Sequence, residues 1–154
     1  MAKATFGAGC FWQVEVEFRN TPGVRDALAG YEGGTFESPS YQDVCTGRTG
    51  HAEVVEVDFD PEAVSYEDLL DRFWSLHNPT QKNRQGWDLG TQYRSAVFVH
   101  DEEQREIAER SRERAQERFR KKIVTEIEPA STFYKAEEYH QRYLQKQGRA
   151  TCAV

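Results

Sequence analysis

Hydrophobic positions recur with two different periods along the chain, and the changes of period predict its strands and helices. Alternating or short apolar runs predict strands at residues 2–8, 24–31, 51–59, 93–100 and 123–128. Helical spacing followed by stop signals predicts helices at residues 11–19, 66–74, 101–122 and 136–147. Strands and helices therefore alternate, but without the regular rhythm of repeated strand–helix units.

Two long segments without periodicity interrupt these elements, at residues 32–50 and 77–92. Loops of this length in a compact domain are usually functional or disordered, and Tyr41 and Cys45 in the first one favour function. The irregular alternation favours a two-layer α+β sandwich over a regular parallel sheet. With 154 residues and neither a repeat nor a linker, we expect a single domain spanning residues 1–154.

The charge and hydropathy of the chain narrow its possible partners. The formal net charge is −6 at pH 7, so phosphate contacts would release few counterions and we expect no nucleic-acid partner. No apolar run is long enough to span a bilayer, and we expect no membrane partner. The N-terminal stretch MAKATFG lacks the apolar run of a signal peptide, so we expect a cytoplasmic protein.

Cysteines and histidines are few and scattered. The three cysteines, Cys10, Cys45 and Cys152, form no CxxC pair, and the four histidines form no HxxxH group. This spacing gives no support to a metal site. A small, odd number of thiols in a cytosolic chain favours reduced thiols, some of them reactive, over a disulfide framework.

Cys10 stands where the first predicted strand gives way to the first predicted helix. Free cysteines are usually buried and inert, so core packing is the simpler interpretation. At a helix N-terminus, however, unpaired backbone N–H groups and the positive end of the helix dipole favour the thiolate. Gly7 and Gly9 leave space beside it. Position alone therefore leaves open whether Cys10 is a structural thiol or a nucleophile.

Glu53 shares a strand face with the apolar residues Val55 and Val57, because strand side chains alternate with a period of two. An ionised carboxylate on such a face is costly unless it is paired, and burial raises the pKa of the carboxyl group. One interpretation is a solvent-exposed strand end or an ion pair with an arginine such as Arg48. The other is a neutral acid that donates a proton.

Three further polar residues occupy the two long loops or their ends. Most tyrosines bury the ring and leave the hydroxyl at the surface, but Tyr41 and Tyr93 could hold a developing oxyanion if they converge on Cys10. Asp88, in GWDLGTQYRS, reads most simply as a turn residue.

The tail thiol, Cys152, follows the predicted helix stop in GRATCAV, and tails of this kind are mobile. It is either an idle exposed thiol or a resolving cysteine that traps oxidised Cys10 as a disulfide. For Cys45 a structural role is favoured.

Four segments of the chain carry a resemblance to a known family. In this order and spacing, GCFWQVE, SYQDVCTGRTGHAEVVEVDFDP, QGWDLGTQYRS and AEEYHQRYL resemble the peptide methionine sulfoxide reductases of the A type. The resemblance runs from about Phe6 to Cys152, nearly the whole chain. GCFW alone would be suggestive, whereas the four segments together are highly specific.

The resemblance implies a role for each matching residue. Cys10 corresponds to the nucleophile and Glu53 to the acid. Tyr41 and Tyr93 correspond to the phenols that hold the sulfoxide oxygen, with Asp88 as a supporting carboxylate. The pair that would form the pocket for the substrate methyl group is Phe11 and Trp12, and the resolving thiol would be Cys152.

The resemblance also implies a fold and a reaction. The expected fold is a two-layer α+β sandwich around a mixed sheet, with a ferredoxin-like core, long functional loops and a mobile C-terminal tail. The expected substrates are the S epimer of methionine sulfoxide in oxidised proteins or peptides and free methionine sulfoxide. Thioredoxin is the expected reductant, no metal or organic cofactor is needed, and we expect a monomer.

Two positions depart from the family pattern. Trp87 stands where the family usually has a small polar residue, often Asn, which puts the preference for peptide substrates in doubt. The tail GRATC differs from the glycine-rich Gly-Tyr-Cys tail of many members, so either Cys152 or Cys45 remains a candidate for the resolving thiol.

Two other function classes remain as alternatives. A thiol hydrolase could pair Cys10 with His51, which has the same strand parity as Glu53. A binding module without enzymatic activity could use GCFW as an aromatic patch for peptides. The four matching segments favour the reductase over both.

Overall fold

The computed structural model describes residues 2–147 and has an α+β architecture, as predicted. The main sheet contains six strands: β1 (Ala2–Ala8), β2 (Val24–Glu32), β3 (Ala52–Phe59), β6 (Ser95–Val99), β7 (Glu126–Pro129) and β8 (Tyr134–Lys135). The helices are α1 (Phe11–Arg19), α2 (Tyr41–Cys45), α3 (Tyr66–Ser75), α4 (Glu102–Gln116) and α5 (Tyr143–Lys146). A hairpin of β4 (Arg84–Gln85) and β5 (Asp88–Leu89) and two 3₁₀ turns (Thr91–Tyr93 and Glu138–His140) complete the described elements.

The strand order of the main sheet is β7-β6-β1-β3-β2-β8. The four inner strands β6-β1-β3-β2 pair antiparallel, and α1 and α3 connect them in the order of a ferredoxin-like fold. β8 adds an antiparallel strand at one edge, whereas β7 adds a parallel strand at the other, so the sheet is mixed.

The core lies between the helices and one face of the sheet, with Phe6 of β1 at its centre. The ring of Phe6 stacks on Phe18 of α1 at 4.8 Å and on Phe73 of α3 at 5.2 Å. Each such pair stabilises the fold by about 0.5–1.5 kcal/mol beyond the buried area. A smaller cluster around Val54 and Phe98 covers the opposite face.

Several predicted boundaries differ from the structure. The segment 32–50 is not only a loop, because Ser40 and Asp43 form a capping box that starts α2. Helix α4 ends at Gln116 rather than 122, since the Gln116 side chain hydrogen-bonds the backbone of the following turn. The next strand correspondingly spans Glu126–Pro129.

The prediction of a helix at residues 136–147 was wrong. This segment contains a 3₁₀ turn and only the short helix α5, because hydrogen bonds tie it to strand β2. The Ala136 N–H donates to the Ala29 carbonyl, and the Gln141 side chain bonds both the N–H and the carbonyl of Ala29, each at 2.9 Å. These tertiary hydrogen bonds replace the helical ones that the local sequence pattern predicted. Residues beyond 147, including Cys152 and the predicted mobile tail, lie outside the described part.

Candidate active site

The candidate site forms at one edge of the main sheet, where three neighbouring strands bring their ends together. Antiparallel pairing places the C-terminal end of β1 beside the N-terminal ends of β3 and β6. Cys10 follows β1, Glu53 lies at the start of β3, and Tyr93 precedes β6. Tyr93 belongs to a 3₁₀ turn and not to the strand that was predicted to include it.

Cys10 is the N-cap residue of α1, as its sequence position suggested. Its backbone is not yet helical, with φ −56° and ψ 121°, while its carbonyl accepts the first helical hydrogen bond from Val14. The thiol is only partly buried. A partly exposed sulfur at the positive end of a helix dipole is in the setting that favours a thiolate.

Glu53 is buried beside Cys10, with 2% of its surface exposed. Its Oε1 accepts a hydrogen bond from the backbone N–H of Phe11 at 3.2 Å, whereas its Oε2 has no hydrogen-bond partner among residues 2–147. Burial raises the pKa of Glu53 to about 8; the Phe11 hydrogen bond lowers it, and Asp88 adds a smaller upward effect. The carboxyl group is therefore mostly protonated at neutral pH. An ion pair with Arg48, the alternative weighed above, does not occur in the described structure.

Tyr41 and Tyr93 bring two half-buried phenols close to this carboxyl group. Burial raises the pKa of Tyr41, and a hydrogen bond with Cys45 and the charge of Glu53 raise it further. Burial also raises the pKa of Tyr93, with additional effects from Glu53, Cys45, Asp88 and Cys10. Both hydroxyl groups therefore stay protonated and act as hydrogen-bond donors near Glu53.

Asp88 reaches the site from the β4–β5 hairpin. It pairs across the hairpin with Gln85, whose side chain packs on Gly9 so closely that a Cβ there would lie 2.8 Å from Gln85 Cγ. Asp88 itself is exposed, but its charge raises the pKa of both Glu53 and Tyr93. Asp88 thus lies in strand β5 and not in the turn, where the sequence had placed it, and it shares the electrostatic environment of Glu53 and Tyr93.

Phe11 and Trp12 form an aromatic wall beside Cys10. Phe11 is 1% exposed, and its ring lies 5.1 Å from His140 and 6.5 Å from Tyr41. Trp12 is half-buried and stacks on Tyr143 with ring centroids 3.8 Å apart. Phe11 is therefore the interior part of an apolar wall whose outer part is Trp12.

The described residues contain neither a helix long and apolar enough to cross a membrane nor a group of three His, Cys, Asp or Glu residues positioned to hold a metal ion.

Comparison with known proteins assigns this arrangement to a family. The family model described as peptide methionine sulfoxide reductase matches residues 2–154. The chain belongs to the peptide methionine sulfoxide reductase family. One relative, the peptide methionine sulfoxide reductase MsrA of Acidobacterium capsulatum, is 59% identical over 156 residues, covering 100% of both chains. The chain is thus an oxidoreductase that acts on oxidised methionine.

Solved structures of reductases in this family share the fold. Mxr1 from Saccharomyces cerevisiae in its reduced form has a TM-score of 0.92 at 38% identity, over 96% of this chain and 86% of that chain. Mxr1 has also been solved in complex with Trx2, with a TM-score of 0.67 at 28% identity, over 92% of this chain and 84% of that chain.

Two residues at the candidate site were not singled out from the sequence, although both lie in the segment AEEYHQRYL. Glu137 accepts hydrogen bonds from the Tyr31 hydroxyl and from the Tyr41 N–H, both at 2.9 Å. His140 is buried and accepts a hydrogen bond at Nδ1 from Trp12 Nε1 at 2.9 Å. Their only sequence signal was the match of this segment to the family, because hydropathy there predicted an ordinary helix.

His51 forms structural hydrogen bonds through both of its ring nitrogens. Its Nδ1 accepts a hydrogen bond from the Gly34 N–H at 3.0 Å, so its Nε2 carries the proton that bonds the Phe36 carbonyl at 2.7 Å. Both ring nitrogens thus hold the loop after β2. This arrangement counts against a hydrolase in which His51 activates Cys10.

Proposed function

We propose that this chain reduces the S epimer of methionine sulfoxide, in peptides, in proteins and as the free amino acid, and that Cys10 is its nucleophile. The observation that carries the proposal is the buried Glu53, held by the Phe11 N–H one residue from Cys10. A sulfoxide oxygen leaves poorly unless it is protonated. A neutral acid next to a thiolate therefore supplies both groups that the reaction needs.

In the proposed first half-reaction, the Cys10 thiolate attacks the sulfoxide sulfur while Glu53 gives its proton to the sulfoxide oxygen. The S–S bond formed in this attack and the S–O bond of the substrate then break, and the oxygen is transferred to Cys10 as a sulfenic acid. The methionine sulfur is reduced by two electrons and the Cys10 sulfur is oxidised by two. Methionine then leaves.

The remaining site residues orient the substrate in this scheme. Tyr41 and Tyr93 donate hydrogen bonds to the sulfoxide oxygen and stabilise its developing charge. Phe11 and Trp12 receive the methyl group. Asp88 supports the protonated state of Glu53, because its negative charge raises the pKa of that carboxyl group.

The second half-reaction restores Cys10. A second thiol condenses with the sulfenic acid, releases water and leaves a disulfide, which a thioredoxin reduces by dithiol exchange. We assign the resolving role to Cys152, which lies outside the described residues, with Cys45 as the alternative. The solved complex of the relative Mxr1 with Trx2 supports a thioredoxin as reductant.

Turnover of resolved sulfoxides tests this function. Peptides with S- or R-methionine sulfoxide are incubated with dithiothreitol and either the wild-type chain or Cys10→Ser, with circular dichroism as a control for folding. We expect reduction of the S peptide by the wild type, and no reduction by Cys10→Ser or of the R peptide. Activity of folded Cys10→Ser would remove Cys10 as the nucleophile.

A further inference from the structure

Trp87 is the most exposed large hydrophobic side chain in the described structure, with 90% of its surface in solvent. It occupies the tip of the β4–β5 hairpin, directly after Gly86. Gly86 has φ +58°, as the first central residue of a type II′ turn requires, so this tight turn fixes Trp87 at the tip. Scattered exposed apolar residues are ordinary on protein surfaces. The significance of Trp87 therefore depends on what lies next to it.

The hairpin is part of the rim of the candidate active site. Gln85 packs on Gly9, the residue before Cys10, and pairs across the hairpin with Asp88. Asp88 is close enough to Glu53 and Tyr93 for its charge to raise the pKa of both groups. Trp87 is one residue from Asp88, so their Cα atoms are about 3.8 Å apart. The exposed indole thus belongs to the hairpin tip, one residue from Asp88.

A second exposed aromatic side chain adjoins the site from another segment. Tyr139 is 54% exposed, and its ring lies 4.1 Å from that of His140, which holds Trp12 by a hydrogen bond. One exposed ring, Trp87, thus lies at the hairpin tip, and another, Tyr139, lies next to the aromatic wall of Phe11 and Trp12. A polypeptide whose oxidised methionine reaches Cys10 must pass its neighbouring residues over this rim.

We propose that Trp87 is a specificity-determining contact for the polypeptide substrate, packing on an apolar side chain within about three residues of the methionine sulfoxide. This proposal rests on the proposed function, because it requires the oxidised methionine at Cys10. An extended chain advances about 3.3 Å per residue, so neighbours of the oxidised residue reach the hairpin tip. Free methionine sulfoxide offers no such neighbour and gains nothing from Trp87.

Substrate selectivity tests the proposal, with dithiothreitol as reductant so that thioredoxin plays no part. The value of kcat/KM is measured for free S-methionine sulfoxide and for two heptapeptides with the oxidised residue at the centre. One heptapeptide has leucine at every position on both sides of that residue, and the other has serine. The variants are Trp87→Ser, Trp87→Phe and Leu89→Ala. Leu89 is the matched control, since it is 65% exposed on the same hairpin but pairs with Arg84, on the face opposite to Gln85 and Asp88.

We expect the wild type to prefer the leucine peptide over the serine peptide, and Trp87→Ser to reduce this preference about tenfold. Trp87→Phe and Leu89→Ala should keep most of it. An unchanged preference in Trp87→Ser would overturn the proposal, as would an equal loss in Leu89→Ala. In a separate assay with thioredoxin as reductant, a raised KM for thioredoxin in a Trp87→Ser enzyme that keeps the peptide preference would overturn the proposal and assign the indole to the reductant. If the wild type reduces none of the three substrates, the proposed function itself fails.

Discussion

The carboxyl oxygen Oε1 of Glu53 accepts the hydrogen bond of the Phe11 N–H at 3.2 Å, and Phe11 is the residue that follows Cys10. One backbone amide thus holds the Glu53 carboxyl group at the start of α1, one residue from Cys10. Because Oε1 is used as an acceptor, the proton of the neutral carboxyl group is left to Oε2, which has no partner in residues 2–147. We therefore expect Oε2 to be the oxygen that gives its proton to the substrate in the proposed reaction.

The first prediction concerns the pH dependence of catalysis. A general acid works only while it is protonated, and the pKa of Glu53 is about 8. We therefore expect kcat/KM for S-methionine sulfoxide to fall as the pH rises through about 8. Glu53→Gln should lower the rate about 10²- to 10⁴-fold and remove that alkaline limb. The pH profile of both proteins, measured with dithiothreitol, checks this.

Glu53→Gln is a conservative test, because its amide oxygen still accepts from the Phe11 N–H while its amide group has no acidic proton. Glu53→Asp is the complementary control, since it retains an acid but shortens its reach. An alkaline limb that persists near pH 8 in Glu53→Gln would assign the titration to another group.

The second prediction concerns stability. The pKa of Glu53 is raised in the folded chain, so between about pH 4.5 and 8 the folded state binds more protons than the unfolded state. The free energy of unfolding contributed by this group therefore falls as the pH rises through that window. Glu53→Gln has no carboxyl group to ionise, so it does not lose this free energy of unfolding. It should be more stable than the wild type by about 3 kcal/mol at pH 7.

Urea unfolding of both proteins between pH 5 and 9 measures the difference. The difference in the free energy of unfolding between Glu53→Gln and the wild type should increase with rising pH and level off above about pH 8. The other buried carboxyl group with a raised pKa, Glu32, is present in both proteins and cancels in the comparison. If this difference were constant between pH 5 and 9, Glu53 would not be neutral in the folded chain.

Sequence patterns predicted the sandwich and the positions of Glu53 and Cys10 for a simple physical reason. The two-residue period placed Glu53 on the face of Val55, and the break after β1 placed Cys10 at a helix start; both features are local. The contacts of Glu137 are not local, because Tyr31 and Tyr41 lie about a hundred residues away in the sequence, at separations of 106 and 96. No periodicity encodes such pairings. Tertiary bonds of the same long-range kind, from Ala136 and Gln141 to Ala29, made the predicted helix at 136–147 wrong.

The third prediction identifies the resolving thiol. After one turnover of S-methionine sulfoxide without reductant, we expect a disulfide between Cys10 and Cys152, because the family pattern gives the resolving role to the tail thiol and a sulfenic acid condenses with a second thiol. Peptide mapping under non-reducing conditions detects it. Cys152→Ser should then stop turnover with thioredoxin while turnover with dithiothreitol continues. A Cys10–Cys45 disulfide would give the role to Cys45.

The fourth prediction concerns Glu137, which we expect to position Tyr41. Its carboxylate accepts the Tyr41 N–H through Oε2 and the Tyr31 hydroxyl through Oε1. Glu137→Ala leaves the first turn of α2 without this bond, so we expect kcat/KM to fall about tenfold and the Tyr41 amide to exchange faster with deuterium.

Tyr31→Phe is the matched control, since it removes only the Oε1 bond and leaves the bond to the Tyr41 amide intact. We expect its kcat/KM to stay within about twofold of the wild type. Glu137→Gln should recover part of the activity, because its amide oxygen accepts one of the two bonds. Equal losses in Glu137→Ala and Tyr31→Phe would mean that Glu137 acts through the phenol of Tyr31 and not through the backbone of Tyr41.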